Sequence, residues 1–245
     1  MAVFYARPGQ VADGYQIGIL CAEWNIPFIP GDLNNASTFD FPIRYLAVPG
    51  AVGADVLSGN DSSFAEMFVT AARQLEREGV RAITGNCGFM AKYQQAVADK
   101  VDVPVLMSSL LQAPMIARML GAHRKLGVLV ANKSSVTDQL LASAGIADPD
   151  QIVIEGLDHR AHWNQVILQE SGVLDEDRMC AEVVDTARDL LVRNPVIGAF
   201  LLECSDLPPY SAAVHAATGL PVFDWSNFIR YIHDAVAPRS YDGLF

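Results

Sequence analysis

Thr84-Gly85-Asn86-Cys87-Gly88-Phe89 is the stretch from which the fold is read. Before it runs Val80 to Thr84, a short β-branched segment that predicts a strand, and after it Ala91 to Asp99 predicts a helix. A second stretch, Leu202-Glu203-Cys204-Ser205-Asp206-Leu207-Pro208-Pro209, has the same surroundings, with Val196 to Leu202 as its strand. Cys87 and Cys204 are 117 residues apart, and so are the prolines of Val103-Pro104-Val105 and Leu220-Pro221-Val222, as well as Ser109 and Ser226. One spacing kept through a cysteine, a proline and a serine marks a duplicated unit. Farther upstream, Ile17-Gly18-Ile19-Leu20 and Leu126-Gly127-Val128-Leu129 are related at a spacing of 109.

Outward from these motifs, strand-length and helical patterns alternate along the chain. Tyr15 to Leu20, Phe41 to Val48, Pro104 to Met107 and Leu126 to Ala131 predict strands. Phe64, Met67, Phe68, Ala71 and Leu75 fall on one helical face, and Leu110 to Leu120, Val136 to Ala144 and the face Val183, Val184, Ala187 and Leu191 predict further helices. This order implies parallel strands joined by crossover helices. The expectation is an α/β protein of two pseudosymmetric lobes, each a mainly parallel sheet flanked by helices, with a cleft between them. Residues 1–110 with about 222–245 are expected to form the first lobe, and 111–221 the second.

Bulk properties narrow the function classes. The chain has 245 residues, 51% of them hydrophobic, enough to bury a large core. With 17 Lys plus Arg against 28 Asp plus Glu, the formal charge is −11, which repels a phosphate backbone and argues against nucleic acid as a partner. Apolar stretches are interrupted well short of the roughly 20 residues a bilayer span needs. Met1 to Gln10 lacks a signal peptide's apolar core. The chain therefore reads as soluble and cytoplasmic, with no membrane partner, and a homo-oligomer is left open. Its four cysteines, Cys21, Cys87, Cys180 and Cys204, include no C-x-x-C pair and form no zinc spacing with the five histidines, so they read as reduced thiols.

Cys87 and Cys204 both follow a predicted strand, where ligand sites form in parallel sheets. A helix N-terminus after each would stabilise a thiolate and offer N–H groups to an anion. A single buried cysteine is more often a small hydrophobe than a reactive group; two at equivalent places in a repeat favour chemistry. Cys21 and Cys180 lack that equivalence and read as structural. Beside the two cysteines, Asn86 and Gly88 in the first half and Ser205 and Asp206 in the second are candidate substrate-binding residues, with Asn34 and Ser109. Asn86 and Ser205 read equally well as helix caps, and Asp32 and Asn34 as turn formers.

These motifs, with Ile29-Pro30-Gly31-Asp32-Leu33-Asn34-Asn35 upstream and Thr218-Gly219-Leu220-Pro221-Val222-Phe223-Asp224 downstream, resemble the aspartate/glutamate/hydantoin racemase superfamily over essentially the whole chain. The resemblance implies a site between the lobes and an amino-acid racemase of the aspartate/glutamate kind. It would need neither pyridoxal phosphate nor metal, and would invert the α-carbon of a small carboxylate or amino acid by passing protons between Cys87 and Cys204. The same resemblance admits a hydantoin racemase, a maleate isomerase-like enzyme and, outside catalysis, a small-carboxylate binding protein.

Overall fold

The computed structural model describes residues 12–58 and 63–241 together with 3, 5, 6, 8 and 243. Most of the stretch from Met1 to Gln10, read above for a signal peptide, lies outside these residues. Eight strands are found among them: β1 Ile17–Glu23, β2 Ile43–Val52, β3 Ala82–Gly85, β4 Val105–Leu106, β5 Lys125–Val130, β6 Ile152–Gly156, β7 Ile197–Leu202 and β8 Val222–Phe223. They form two four-stranded sheets, ordered β2-β1-β3-β4 and β6-β5-β7-β8, with every pairing parallel. The expected α/β architecture of two similar lobes is therefore what the chain adopts, and each sheet repeats the other's strand order.

Burial explains why the strands were legible. Ile17 to Leu20 of β1 and Leu126 to Val130 of β5 are buried throughout, as central parallel strands covered on both faces must be. The strand that the sequence reading does not single out is β6, where Ile152-Val153-Ile154 runs into Glu155 and three of its five residues are half-exposed. It lies at a sheet edge, where one side chain row meets solvent.

Helix Ser63–Glu78 lies on the first sheet, with Leu75 over Gly18: a Cβ at Gly18 would come within 2.8 Å of the Leu75 side chain. Phe200 covers Gly127 in the second lobe in the same way, with its ring 2.9 Å from where a Cβ would lie. Two helices exchange lobes. Ala113–Leu120 follows β4 of the first sheet yet packs beside β5 and β7. Trp225–Val236 follows β8 of the second sheet yet buries Trp225 and Ile229 against Ile17, Ile19, Ala82 and Leu106 of the first. The crossovers are tied together where they begin, Gln112 Nε2 donating to the Asp224 carbonyl at 3.0 Å. Asp224 also caps the last helix reciprocally with Asn227. Among the described residues no helix is long and apolar enough to cross a membrane.

Candidate active site

Both cysteines sit where their strands end. Cys87 comes two residues after β3 and precedes a 3-10 helix, Gly88–Tyr93; Cys204 comes two residues after β7. Because the lobes face each other at these strand ends, the two thiols are brought to one enclosed cavity, which Trp24, Phe89, Ile167, Leu168 and Asp206 also line. Its volume of about 10 Å³ is close to the space of a single water molecule. In this state the site is shut. Ile167 and Leu168 belong to a π-helical turn, Asn164–Leu168, and just beyond it Glu170, at a left-handed φ of 51°, accepts the Asn25 N–H through Oε2 at 2.8 Å.

Cys204 Sγ donates to Asp206 Oδ2 at 3.1 Å, so its proton already has an acceptor, the arrangement that activates a thiol. Burial first, then the charges of Asp206 and Glu203, push the Cys204 thiol up. Burial and Glu203 do the same to Cys87, opposed by the Phe89 N–H and by Lys92. In the closed site both groups are neutral thiols.

The other sequence candidates divide between the cavity lining and the loops behind it. Ser205 Oγ donates to the Asn86 carbonyl oxygen at 2.8 Å, joining the two cysteine loops across the cleft. Ser109, buried, reaches from the first lobe to the Glu203 carbonyl oxygen at 2.7 Å. The Asn86 side chain is fully engaged: Oδ1 accepts from Ala22 N at 2.9 Å, and Nδ2 donates to Ala22 O and to Asn34 Oδ1, each at 3.1 Å. Gly88, Ser205 and Asp206 line the cavity; Asn86, Asn34 and Ser109 stand outside its lining, Asn34 bonded to Asn86. Outside this group, Cys21 packs with the core beneath the last helix and Cys180 sits on helix Glu176–Arg193. His162 is buried and accepts the Asp175 N–H at 2.9 Å, while His215 faces the Leu220 carbonyl at 2.7 Å.

Three acidic or phenolic groups were not among the sequence candidates. Asp32, read as a turn former, is buried and does hold the Asn34 N–H at 2.7 Å. Its loop also docks on the second cysteine loop, with Leu33 N donating to Ser205 O at 3.2 Å. There burial, then the Asp206 carboxyl, lift Asp32 well above the usual carboxylate range, so Asp32 holds its proton in the closed site. Glu203 is wholly buried and raised to about 8, chiefly by burial. Tyr210 is buried with its hydroxyl unpartnered, pushed up by burial and by Asp206. Glu203 stands within the motif that carries Cys204 and Tyr210 directly after it, and nothing local distinguishes them from core or surface positions.

No family model matches the sequence. Among curated proteins, the chain is 32% identical over 214 residues to a dimethylsulfoniopropionate lyase of Durusdinium sp. clade D, covering 85% of this chain and 70% of that protein. It is 32% identical over 223 residues to dimethylsulfoniopropionate lyase 6 of Emiliania huxleyi (strain CCMP1516), where it spans 87% of itself and 58% of the relative's length. Of solved structures, a mutant of arylmalonate decarboxylase superposes with a TM-score of 0.62 at 18% identity, over 92% of this chain and 94% of that one. Allantoin racemase from Pseudomonas fluorescens gives 0.57 at 15% identity, over 93% and 100%, and Picrophilus torridus aspartate racemase 0.56 at 15%, over 94% and 96%. The racemase-type fold expected from the motifs is thus present. The expected activity is corrected: the curated relatives are lyases, and amino-acid racemisation is set aside. A shared fold carries many chemistries, and the motifs around the cysteines report the fold and the thiols, not the fate of the carbanion.

Proposed function

The chain belongs to the dimethylsulfoniopropionate lyase family, and from that premise we propose that it cleaves dimethylsulfoniopropionate, or a close sulfonium-bearing carboxylate, by β-elimination. The observation that carries this reading is the charge of the cavity. Asp206 contributes a carboxyl to its lining, and among the described residues no lysine or arginine does. A buried site of this kind favours a molecule that brings its own positive charge, and the Trp24 and Phe89 rings suit a methylated cation.

A proton α to a carboxylate is weakly acidic, and removing it becomes productive when a leaving group departs from the neighbouring carbon. In this reading Cys204 is the base, giving its own proton to Asp206 and taking the α-proton as a thiolate. The electron pair left on carbon forms the double bond as the carbon–sulfur bond breaks. Its electrons leave on sulfur as neutral dimethyl sulfide, and the organic product is propenoate. The sulfonium charge supports the thiolate that burial opposes, so the base is armed by the substrate itself. Cys87 faces the reaction as a neutral thiol, and the backbone N–H groups at Gly88 and Phe89 serve as donors to the substrate carboxylate. Asn34, Asn86, Ser109 and Ser205 hold the two loops in register around it.

The test is incubation with dimethylsulfoniopropionate, following dimethyl sulfide in the headspace and propenoate by proton NMR. Equal release of both supports the reading. No release, together with no binding of the uncleavable isostere 3-(trimethylammonio)propionate by calorimetry, would sink it.

A further inference from the structure

Asn86 and Glu203 each stand one residue before a cysteine, and the duplicated fold gives them the same backbone partner. Asn86 meets Ala22 near the end of β1; Glu203 meets Ala131 just after β5. Ala22 and Ala131 are 109 residues apart, the spacing of the strands that carry them. The two copies then diverge. Asn86 spends its oxygen on Ala22 N and its amide on Ala22 O. Glu203 spends Oε2 on Ala131 N at 3.4 Å, while Ala131 O is taken by the Trp163 indole N–H at 3.0 Å. That leaves Glu203 Oε1 buried without a partner. It points at the first cysteine loop, 1.7 Å from where a Cβ on Gly88 would lie. A carboxyl oxygen held dry, released from structural duty by a tryptophan and admitted by a glycine, is a group kept for the site.

We propose that Glu203 is a positioning residue that must carry its proton for Cys204 to ionise, so that its loss of that proton limits the enzyme on the alkaline side. The inference rests on the thiol reading given above. Neutral, Glu203 leaves the thiols opposed by burial and Asp206; ionised, it adds a negative charge beside both. Burial sets its ionisation at about 8, and of the groups around it Asp206 adds a like charge and Ala131 N–H an opposing hydrogen bond. Cys87 and Cys204 both feel its charge, and Lys92, whose charge reaches Cys87, has its ammonium on the Val56 carbonyl at 2.7 Å. Ser109 holds the Glu203 backbone, not its carboxyl.

The measurement is ultraviolet thiolate absorbance against pH, without substrate, for the wild type and Glu203→Gln. The variant keeps the shape of the protonated acid and cannot ionise. Its thiol midpoints should fall by about one pH unit or more, most at Cys87; unchanged midpoints overturn the proposal. In turnover, the wild-type rate should climb with pH and bend to a plateau near 8, and Glu203→Gln should continue to climb. A bend that persists in the variant also overturns it. Should the variant not fold, an Asp32→Asn protein, which lacks the other raised carboxyl, decides through the infrared band of a buried protonated carboxyl, which must be present at neutral pH and disappear as pH passes about 8. The thiol titration needs no substrate, so it stands or falls separately from the elimination reading.

Discussion

Ser205 Oγ donates to the main-chain carbonyl oxygen of Asn86 at 2.8 Å, and through this bond the loop carrying Cys204 is fastened to the loop carrying Cys87. Ser205 is 3% exposed and Asn86 1%, so water does not compete for it. Thiols on separate lobes keep a fixed spacing because their loops bond each other directly, here and through Ser109 and the Glu203 carbonyl.

Ser205→Ala leaves that carbonyl buried without its donor, which costs about 1–3 kcal/mol. Denaturant unfolding should show a loss of that size. The elimination rate should fall by more than substrate affinity does, because the thiol spacing loosens while the rest of the cavity lining persists. An unchanged midpoint would mean that the lobes are held elsewhere.

Cys204→Ser should abolish dimethyl sulfide release, removing the proton acceptor for the α-carbon; a general base is worth roughly 10²–10⁴ in rate. Cys87→Ser, lacking the facing thiol alone, should retain measurable turnover. Headspace assays of both variants decide the assignment, and residual activity confined to Cys204→Ser would exchange the two roles.

Gly88→Ala drives a methyl into the Glu203 carboxyl, whose Oε1 lies 1.7 Å from where the new Cβ would stand, so this wholly buried side chain must shift against its packed neighbours. Overpacking of this kind costs about 1–3 kcal/mol or more. Adding Glu203→Gly should recover much of the loss, a coupling between contacting residues that a double-mutant cycle measures directly. Independent effects would show that the loops separate freely.

Stability should fall as pH rises. Folding lifts Glu203 from its ordinary 4.5 to about 8, so between these values the folded protein holds a proton that the unfolded chain has released. The contribution is complete below 4.5 and lost through about 8, at up to about 1.4 kcal/mol per pH unit. Asp32, raised by burial and Asp206, steepens the slope in the same direction. Thermal unfolding across this window should show the decline in the wild type and a shallower one in Glu203→Gln.

Much of this was legible because it depends on local pattern. The β-branched and aliphatic runs of β1, β5 and β7 are buried on both faces and read as strands without help. The 117-residue spacing carries over into structure, since β4 at Val105–Leu106 and β8 at Val222–Phe223 are separated by it residue for residue. The cysteines are found by the same spacing. Asp32 and Glu203 were not found, because a turn aspartate and a glutamate after an apolar run look like solvated residues until the opposite lobe covers them.

Sequence by itself determined the duplicated α/β plan and the two cysteines at matching strand ends, because hydrophobic periodicity and repeat spacing are properties of the chain. Tertiary structure decided the exchange of helices Ala113–Leu120 and Trp225–Val236 between lobes, the meeting of Asp32 with Asp206, and the placing of Glu203 against Gly88. Those are contacts between residues far apart in the chain. Their electrostatic consequences arise from desolvation, which exists only after the lobes have closed over them.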